Sequence, residues 1–391
     1  MDLEFTDDDD ELRANVRSVL ASISPPGVVR EIYEAKGDPG AVWEQMVELD
    51  WPGLGIAEEH GGVGMGFLEV AIVCDEHGRA TTPGPYLATV TQYVPMVREL
   101  GGDHAAALLA DVAAGRTTGT VALAESGSWD AAAVRATAEE RDGVWHLSGR
   151  KVAVLDGATA DRIVVIARTP GTTGTDGLGA FLLPRGAATA LPRLVLDETM
   201  PVADLDLDGV VVPAERVLAR PGAPGVAAAI ERANQEATVA LAVNAVGACR
   251  NIFEQTVEYA KQREQYGKLI GSFQALKHRM ADMYLSVERA SALAWFAVLA
   301  IVEEDPRRAE AVSLAKAAAG DCERLIVRDG LQLHGGIGYT WEHDLHFLLK
   351  RAKACDALYG SGIHHRARLA EIVGLTTPTD RSIDANTEDA A

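Results

Sequence analysis

The chain has 391 residues, of which 48% are hydrophobic and 24% charged, and a formal net charge of −21. Such a composition is ordinary for a soluble protein with two or three domains and a large core. The acidic balance opposes binding to nucleic acid or to an anionic membrane surface.

Met1-Asp-Leu-Glu-Phe5 leads into the acidic run Asp7–Glu11. It has neither a basic segment nor an apolar one, so no signal peptide is expected. Residues 1–116 read as an N-terminal α-helical domain. Leu12, Val16, Val19 and Leu20 share one helix face, and Trp43, Met46, Val47 and Leu49 do much the same. A further helix is expected over Glu69–Arg79, with breaks at Pro52-Gly53, Gly61–Gly66 and Pro83-Gly-Pro85. Gly62, Gly64 and Gly66 lack a preceding strand and the right spacing for a dinucleotide fingerprint, so they read as a flexible loop.

Residues 117–220 change character. Thr120–Leu123, Trp145–Leu147, Lys151–Leu155, Arg162–Ala167, Ala180–Leu183 and Val210–Pro213 are short apolar runs separated by turn residues. They predict an antiparallel β domain, either a sandwich or a small barrel. Pro221–Gly225 is a linker. Residues 226–376 then read as four amphipathic helices in a bundle. Val239, Val243, Val246, Phe253 and Val257 mark the first, and Leu276, Met280, Met283, Val287 and Leu293 the second. The third spans about 308–334 and the fourth about 342–373. The apolar run Ala290–Val302 is too short for a membrane span and reads as buried helix. Residues 377–391 are polar and acidic, and disorder is expected there. The fold class is thus α+β multidomain: helical domain, β domain, helical bundle.

Cys74, Cys249, Cys322 and Cys355 are widely spaced, which fits reduced thiols in a cytoplasmic protein. His334, His343 and His346 have no metal-ligand spacing. Ser313-Leu-Ala-Lys316 matches a catalytic Ser-x-x-Lys only by chance, without companion motifs. His364-His-Arg366 reads either as a phosphate patch or as a solvated helix start.

Two segments carry more. One is Tyr259-Ala-Lys-Gln-Arg-Glu-Gln-Tyr-Gly-Lys-Leu-Ile-Gly-Ser-Phe-Gln274; the other is the glycine break in Leu331-Gln-Leu-His-Gly-Gly-Ile-Gly-Tyr-Thr-Trp-Glu342. Together they resemble the carboxy-terminal half of the acyl-CoA dehydrogenase family. The resemblance extends over nearly the whole chain and is strongest from about 239 to 360. It implies the acyl-CoA dehydrogenase fold, FAD as cofactor, and α,β-desaturation of an acyl-CoA thioester. It also implies an electron-transfer flavoprotein as acceptor.

In that family each flavin lies between two subunits. Arg263 matches the arginine that forks onto the pyrophosphate, where guanidinium geometry suits bidentate contact. Tyr266 matches the aromatic near the adenosine, and Gln332 and Gly336 match the Gln and Gly of the glycine break. The alternatives are a surface salt bridge from Arg263 to Glu264 and a plain core role for Tyr266.

The residues expected around the flavin ring are replaced. The family's Thr-Glu-Pro-Gly-Ala-Gly-Ser-Asp-like loop corresponds to Ala124-Glu-Ser-Gly-Ser-Trp-Asp130. Its Trp-Ile-Thr segment falls on Gly149-Arg-Lys-Val-Ala-Val-Leu155. Ala153 then stands for the stacking tryptophan and Leu155 for the threonine that bonds flavin N5, and neither supplies that contact. The catalytic glutamate position is Tyr359, a phenol and a poor base for a thioester α proton. Some members place the glutamate on the first long bundle helix, where the gapless match is Ala237. Glu236 is its neighbour and a candidate base, although one residue turns a helix by about 100°; the alternative is an exposed helix residue. The pattern resembles the degenerate partner subunit of mixed tetramers of α2β2 composition, which handle bulky acyl-CoA substrates. Two other readings stand: a self-sufficient homotetramer, and a structural or regulatory subunit without flavin.

Overall fold

The structure, a computed structural model, describes residues 5–375. The expected tail at 377–391 lies outside them. The acidic run near the amino terminus starts the first helix, Asp7–Ile23. Thr6 and Asp9 form a reciprocal capping box, with Asp9 N donating to Thr6 Oγ1 at 3.2 Å and Thr6 N to Asp9 Oδ2 at 2.9 Å. Four aspartates in the first turn complement the helix dipole. Val16 and Leu20 are buried as expected. Gly40–Glu48 is also helical and buries Trp43 and Met46, but Leu49 caps its end and is exposed.

The helix Phe67–Ala80 is buried along most of its length and lies against Val226–Gln262. Two glycines allow this approach. A Cβ on Gly78 would sit 2.0 Å from the Asn244 carbonyl oxygen, and one on Gly247 would sit 2.1 Å from the Asp75 oxygen. Only a residue without a side chain lets the two backbones meet this closely.

The β region holds a seven-stranded sheet and a three-stranded one. In the larger sheet the order is Val217–Ala219, Leu178–Pro184, Arg162–Arg168, Thr137–Arg141, Val144–Ser148, Val210–Pro213; Gly119–Ala122 also pairs with Arg162–Arg168. The smaller sheet runs Arg150–Leu155, Val202–Asp206, Thr189–Pro192. Pairing is antiparallel except where Gly119–Ala122 and Thr137 run parallel to Arg162–Arg168. Four of these strands are not evident from apolar alternation. Thr137–Arg141, for example, is Thr-Ala-Glu-Glu-Arg, with only Ala138 buried.

Val226–Gln262, Gln274–Val302 and Arg308–His334 are the long carboxy-terminal helices. Among the described residues, Gln274–Val302 is the one helix long and apolar enough by composition to cross a membrane. Its Met283, Val287, Ala290, Ala294 and Val298 are buried in the protein core. The fourth expected helix is two, Leu345–Ala357 and Gly362–Ile372. They are separated by a turn in which Tyr359 has φ 58° and Gly360 φ 89°.

All three regions meet at Arg351, which is fully buried. Its Nε donates to Asp197 Oδ2 at 2.7 Å, and its Nη2 to the Thr82 carbonyl at 2.9 Å and to Thr199 Oγ1 at 2.6 Å. Asp197 also accepts the Tyr33 hydroxyl at 2.8 Å. Removing one partner strands a buried charge, so Arg351→Met is expected to destabilise the fold by about 3–5 kcal/mol. Equilibrium denaturation measures this, and a loss under about 1 kcal/mol would show that the pair holds nothing together.

Candidate active site and cofactor contacts

The turn between Leu345–Ala357 and Gly362–Ile372 is fixed from below. Lys316 is fully buried, and its ammonium donates to the Cys355 carbonyl and, at 3.2 Å, to that of Asp356. It thereby satisfies carbonyls at a helix end that have no partner within the helix. Burial lowers its pKa to about 8. His365 is buried, with Nε2 placed 2.9 Å from the Tyr359 carbonyl and Nδ1 3.4 Å from Ser313 Oγ. The carbonyl can only accept, so Nε2 carries the proton. Burial pulls the imidazole down to about 3, which keeps it neutral. Ser313 and Lys316 are thus parts of a brace. The His364-His-Arg366 run is not a wholly solvated helix start. His365 faces inward, and Arg366 pairs with Asp321.

The brace directs Tyr359 into the protein, where it is 6% exposed. Trp129 lies on it, with ring centroids 6.1 Å apart and planes at 26°. Trp129 comes from the 124–130 loop, which is fixed by its own ionic contact. Glu125 accepts Arg135 N at 2.7 Å, Ala136 N at 3.0 Å and the ammonium of Lys151 at 2.5 Å. Lys151 is fully buried and its pKa is lowered to about 8 by burial. This pair joins the 124–130 loop to the Arg150–Leu155 strand. Leu155 is buried in the same apolar cluster as Tyr359, and Ala153 packs against that cluster. Ala153 has φ 50°, at an irregularity in the pairing of its strand.

The cavity bordering Trp129, Tyr359, Asn234, Gln235, Thr238 and His365 is about 10 Å³. That is room for about one water molecule, against the several hundred Å³ usual for a ligand site. Burial pushes the Tyr359 phenol above its ordinary value, so it is a still weaker base at neutral pH. Glu236 does not border this cavity. Asn234, Gln235 and Thr238 of the same helix do, while Glu236 turns to Arg98 at 2.5 Å and Arg308 at 3.7 Å. It is 7% exposed, so it is not a free surface residue, and it points away from the cavity beside Tyr359. Desolvation raises its pKa despite the two arginines.

The other set of residues has the opposite character. Arg263 ends the Val226–Gln262 helix and is exposed. Among the described residues its guanidinium forms no hydrogen bond or ion pair, with Glu264 or any other. Tyr266 is 93% exposed and sits with φ 55° in the turn of the short hairpin Glu264–Leu269. It is therefore not a core residue of this chain. Gln332 and Gly336 are exposed as well. A Cβ on Gly336 would meet nothing within 4 Å, so packing within this chain does not require glycine there. The two segments are neighbours, because Tyr259 stacks on His334 with centroids 4.7 Å apart. His334 therefore serves packing, and no metal-binding group of His, Cys, Asp and Glu occurs among the described residues.

Comparison with known proteins agrees with this architecture. The family model for the acyl-CoA dehydrogenase N-terminal domain matches residues 6–116, and that for the C-terminal domain matches residues 224–374. Acyl-CoA dehydrogenase IpdE2 of Mycobacterium tuberculosis is 32% identical over 345 residues, covering 87% of this chain and 89% of that one. The structure of a glutaryl-coenzyme A dehydrogenase in complex with glutaryl-CoA aligns with a TM-score of 0.88 at 25% identity, covering 96% of this chain and 98% of that one. A variant of the Tcur3481–Tcur3483 steroid ACAD aligns with a TM-score of 0.82 at 27% identity, covering 94% and 98%. The chain belongs to the acyl-CoA dehydrogenase family, FAD-binding oxidoreductases that act on a CH–CH pair.

The FAD of that family does not fit uniformly here. At the position matched to the base, Tyr359 is buried under Trp129 with about 10 Å³ beside them, whereas Arg263, Tyr266, Gln332 and Gly336 are exposed. Trp129 is the residue that sequence reasoning missed. Its signal was an aromatic in the loop expected around the flavin ring. Arg263→Ala is expected to leave thermal stability within about 0.5 kcal/mol, as for an unpaired surface residue. The same change is expected to weaken flavin retention in the active assembly more than about tenfold. Thermal melting and flavin content after gel filtration measure the two effects. Unchanged flavin content would remove Arg263 from the cofactor contacts.

Proposed function

We propose that this chain is the partner subunit of a mixed acyl-CoA dehydrogenase, working with a related chain that holds the flavin ring and supplies the base. The observation that carries the reading is Trp129 stacked on Tyr359, with about 10 Å³ left beside them. The reaction is α,β-desaturation of an acyl-CoA thioester. When bound, the flavin supplies the acceptor for the hydride leaving the β carbon. This chain's part is to bind and orient. Arg263 would hold the pyrophosphate, Tyr266 would lie near the adenosine, and Gln332 and Gly336 would line the cofactor, Gly336 letting the backbone approach closely. Of the carboxylates that border the cavity beside Trp129 and Tyr359, Asp130 accepts Ala132 N and Glu231 pairs with Arg368, so the base for the α proton is expected from the partner chain.

The bulky class of acyl-CoA substrate is part of this reading, and the similarity to the Tcur3481–Tcur3483 steroid ACAD supports it. An electron-transfer flavoprotein is the expected acceptor, and the cytoplasm the expected location. The test is co-purification with the related dehydrogenase encoded beside this chain, reading mass, flavin and activity together. The expected result is a mixed tetramer with one flavin per pair of unlike chains and activity only in the mixture. A homotetramer of this chain with a flavin in every subunit, active alone, would contradict the proposal. A flavin-free mixed assembly would contradict it too.

A further inference from the structure

A second cavity lies away from Tyr359, between the amino-terminal helices and the end of the Arg150–Leu155 strand. Its volume is about 590 Å³, and Trp43, Pro39, Pro83, Pro85 and Pro201 form much of its apolar wall. That size suits a small ligand. Four carboxylates and one guanidinium border it.

Three of those carboxylates are accounted for or solvated. Asp161 pairs with Arg185 at 2.7 Å, Asp38 accepts Gly40 N at 2.8 Å, and Glu198 is exposed. Asp156 is different. Its backbone is committed, with N donating to the Pro201 carbonyl at 2.8 Å and its own carbonyl accepting from Thr159 and Ala160. The residue is 7% exposed, and its carboxylate forms no hydrogen bond or ion pair with any described residue. The carboxylate borders the cavity, where no donor of the protein offsets its desolvation. The cavity is where a partner can enter.

We propose that this cavity binds a small organic cation, an ammonium or amidinium on an apolar body, with its charge on Asp156 and its body against Trp43 and the prolines. The surplus of carboxylates along the walls favours a cation over an anion. The site is independent of the flavin contacts and does not rest on the partner-subunit reading.

Benzamidine and benzylamine are suitable probes, with benzyl alcohol as the uncharged counterpart, titrated by calorimetry into the full-length protein as purified. Saturable binding of the cations is expected, at least about tenfold tighter than that of the alcohol, in keeping with a charge-assisted contact. Burial alone raises Asp156 to about 7. Cation affinity should therefore climb about tenfold between about pH 6 and pH 8, as the carboxylate forms. Asp156→Asn should abolish that climb and weaken the cations at least about tenfold.

Asparagine tolerates the left-handed backbone at φ 54°, so the variant is expected to fold. Melting provides a second reading. A raised folded-state pKa means that the aspartate form loses stability as pH rises from its ordinary value through about 7. Asp156→Asn should then melt above the parent by more at about pH 8 than at about pH 4. No saturable binding at millimolar cation, equal binding of benzyl alcohol, or undiminished binding by the variant would each overturn the proposal. So would a variant that melts below the parent at the higher pH.

Discussion

The buried contact between Arg351 and Asp197 is the constraint on which the rest of the arrangement depends. A fully buried guanidinium is tolerable only when its donors are directed at acceptors, and here they meet Asp197, Thr199 and the Thr82 carbonyl, with Asn244 Oδ1 at 3.5 Å. Those acceptors come from the β region, the amino-terminal region and the first long carboxy-terminal helix. Arg351 itself lies in Leu345–Ala357, within two turns of its end. Fixing this residue fixes where the helix stops, and so where Tyr359 enters the core.

Two buried lysines complete the geometry. Lys151 on Glu125 positions the loop that delivers Trp129, and Lys316 on the Cys355 and Asp356 carbonyls positions the turn that delivers Tyr359. Each lysine has its pKa lowered by burial, and each donates to buried acceptors. Trp129 and Tyr359 are thereby brought together, with about 10 Å³ beside them. Arg263, Tyr266, Gln332 and Gly336, by contrast, are exposed.

Much of the fold was legible because helical periodicity is strong where one face is buried. Val16 and Leu20, or Met283 and Val287, recur at the spacing that burial demands. Strands such as Thr137–Arg141 were not legible, since a polar strand offers no apolar alternation. The turn at Leu358–Ser361 was hidden too, because helical patterning resumes within four residues. Its cause is a left-handed Tyr359 held by His365 and Lys316, and those contacts come from tertiary packing. The replacements at Ala153, Leu155 and Tyr359 were visible in the sequence, but the stacking of Trp129 on Tyr359 was not. Whether Tyr266 is buried or exposed also could not be read from its spacing. A hairpin turn projects it, and such turns leave only the local Tyr-Gly pair as a signal.

The central claim is that this chain's own ring site is closed. The most direct measurement is a titration of FAD into the isolated chain, followed by flavin fluorescence, on material that first shows a cooperative thermal transition. The account predicts no saturable binding at micromolar FAD, because the ring has nowhere to enter and the outward contacts alone hold only part of the cofactor. Stoichiometric, tight binding of one FAD per chain would contradict it, since Trp129 and Tyr359 would then have to part.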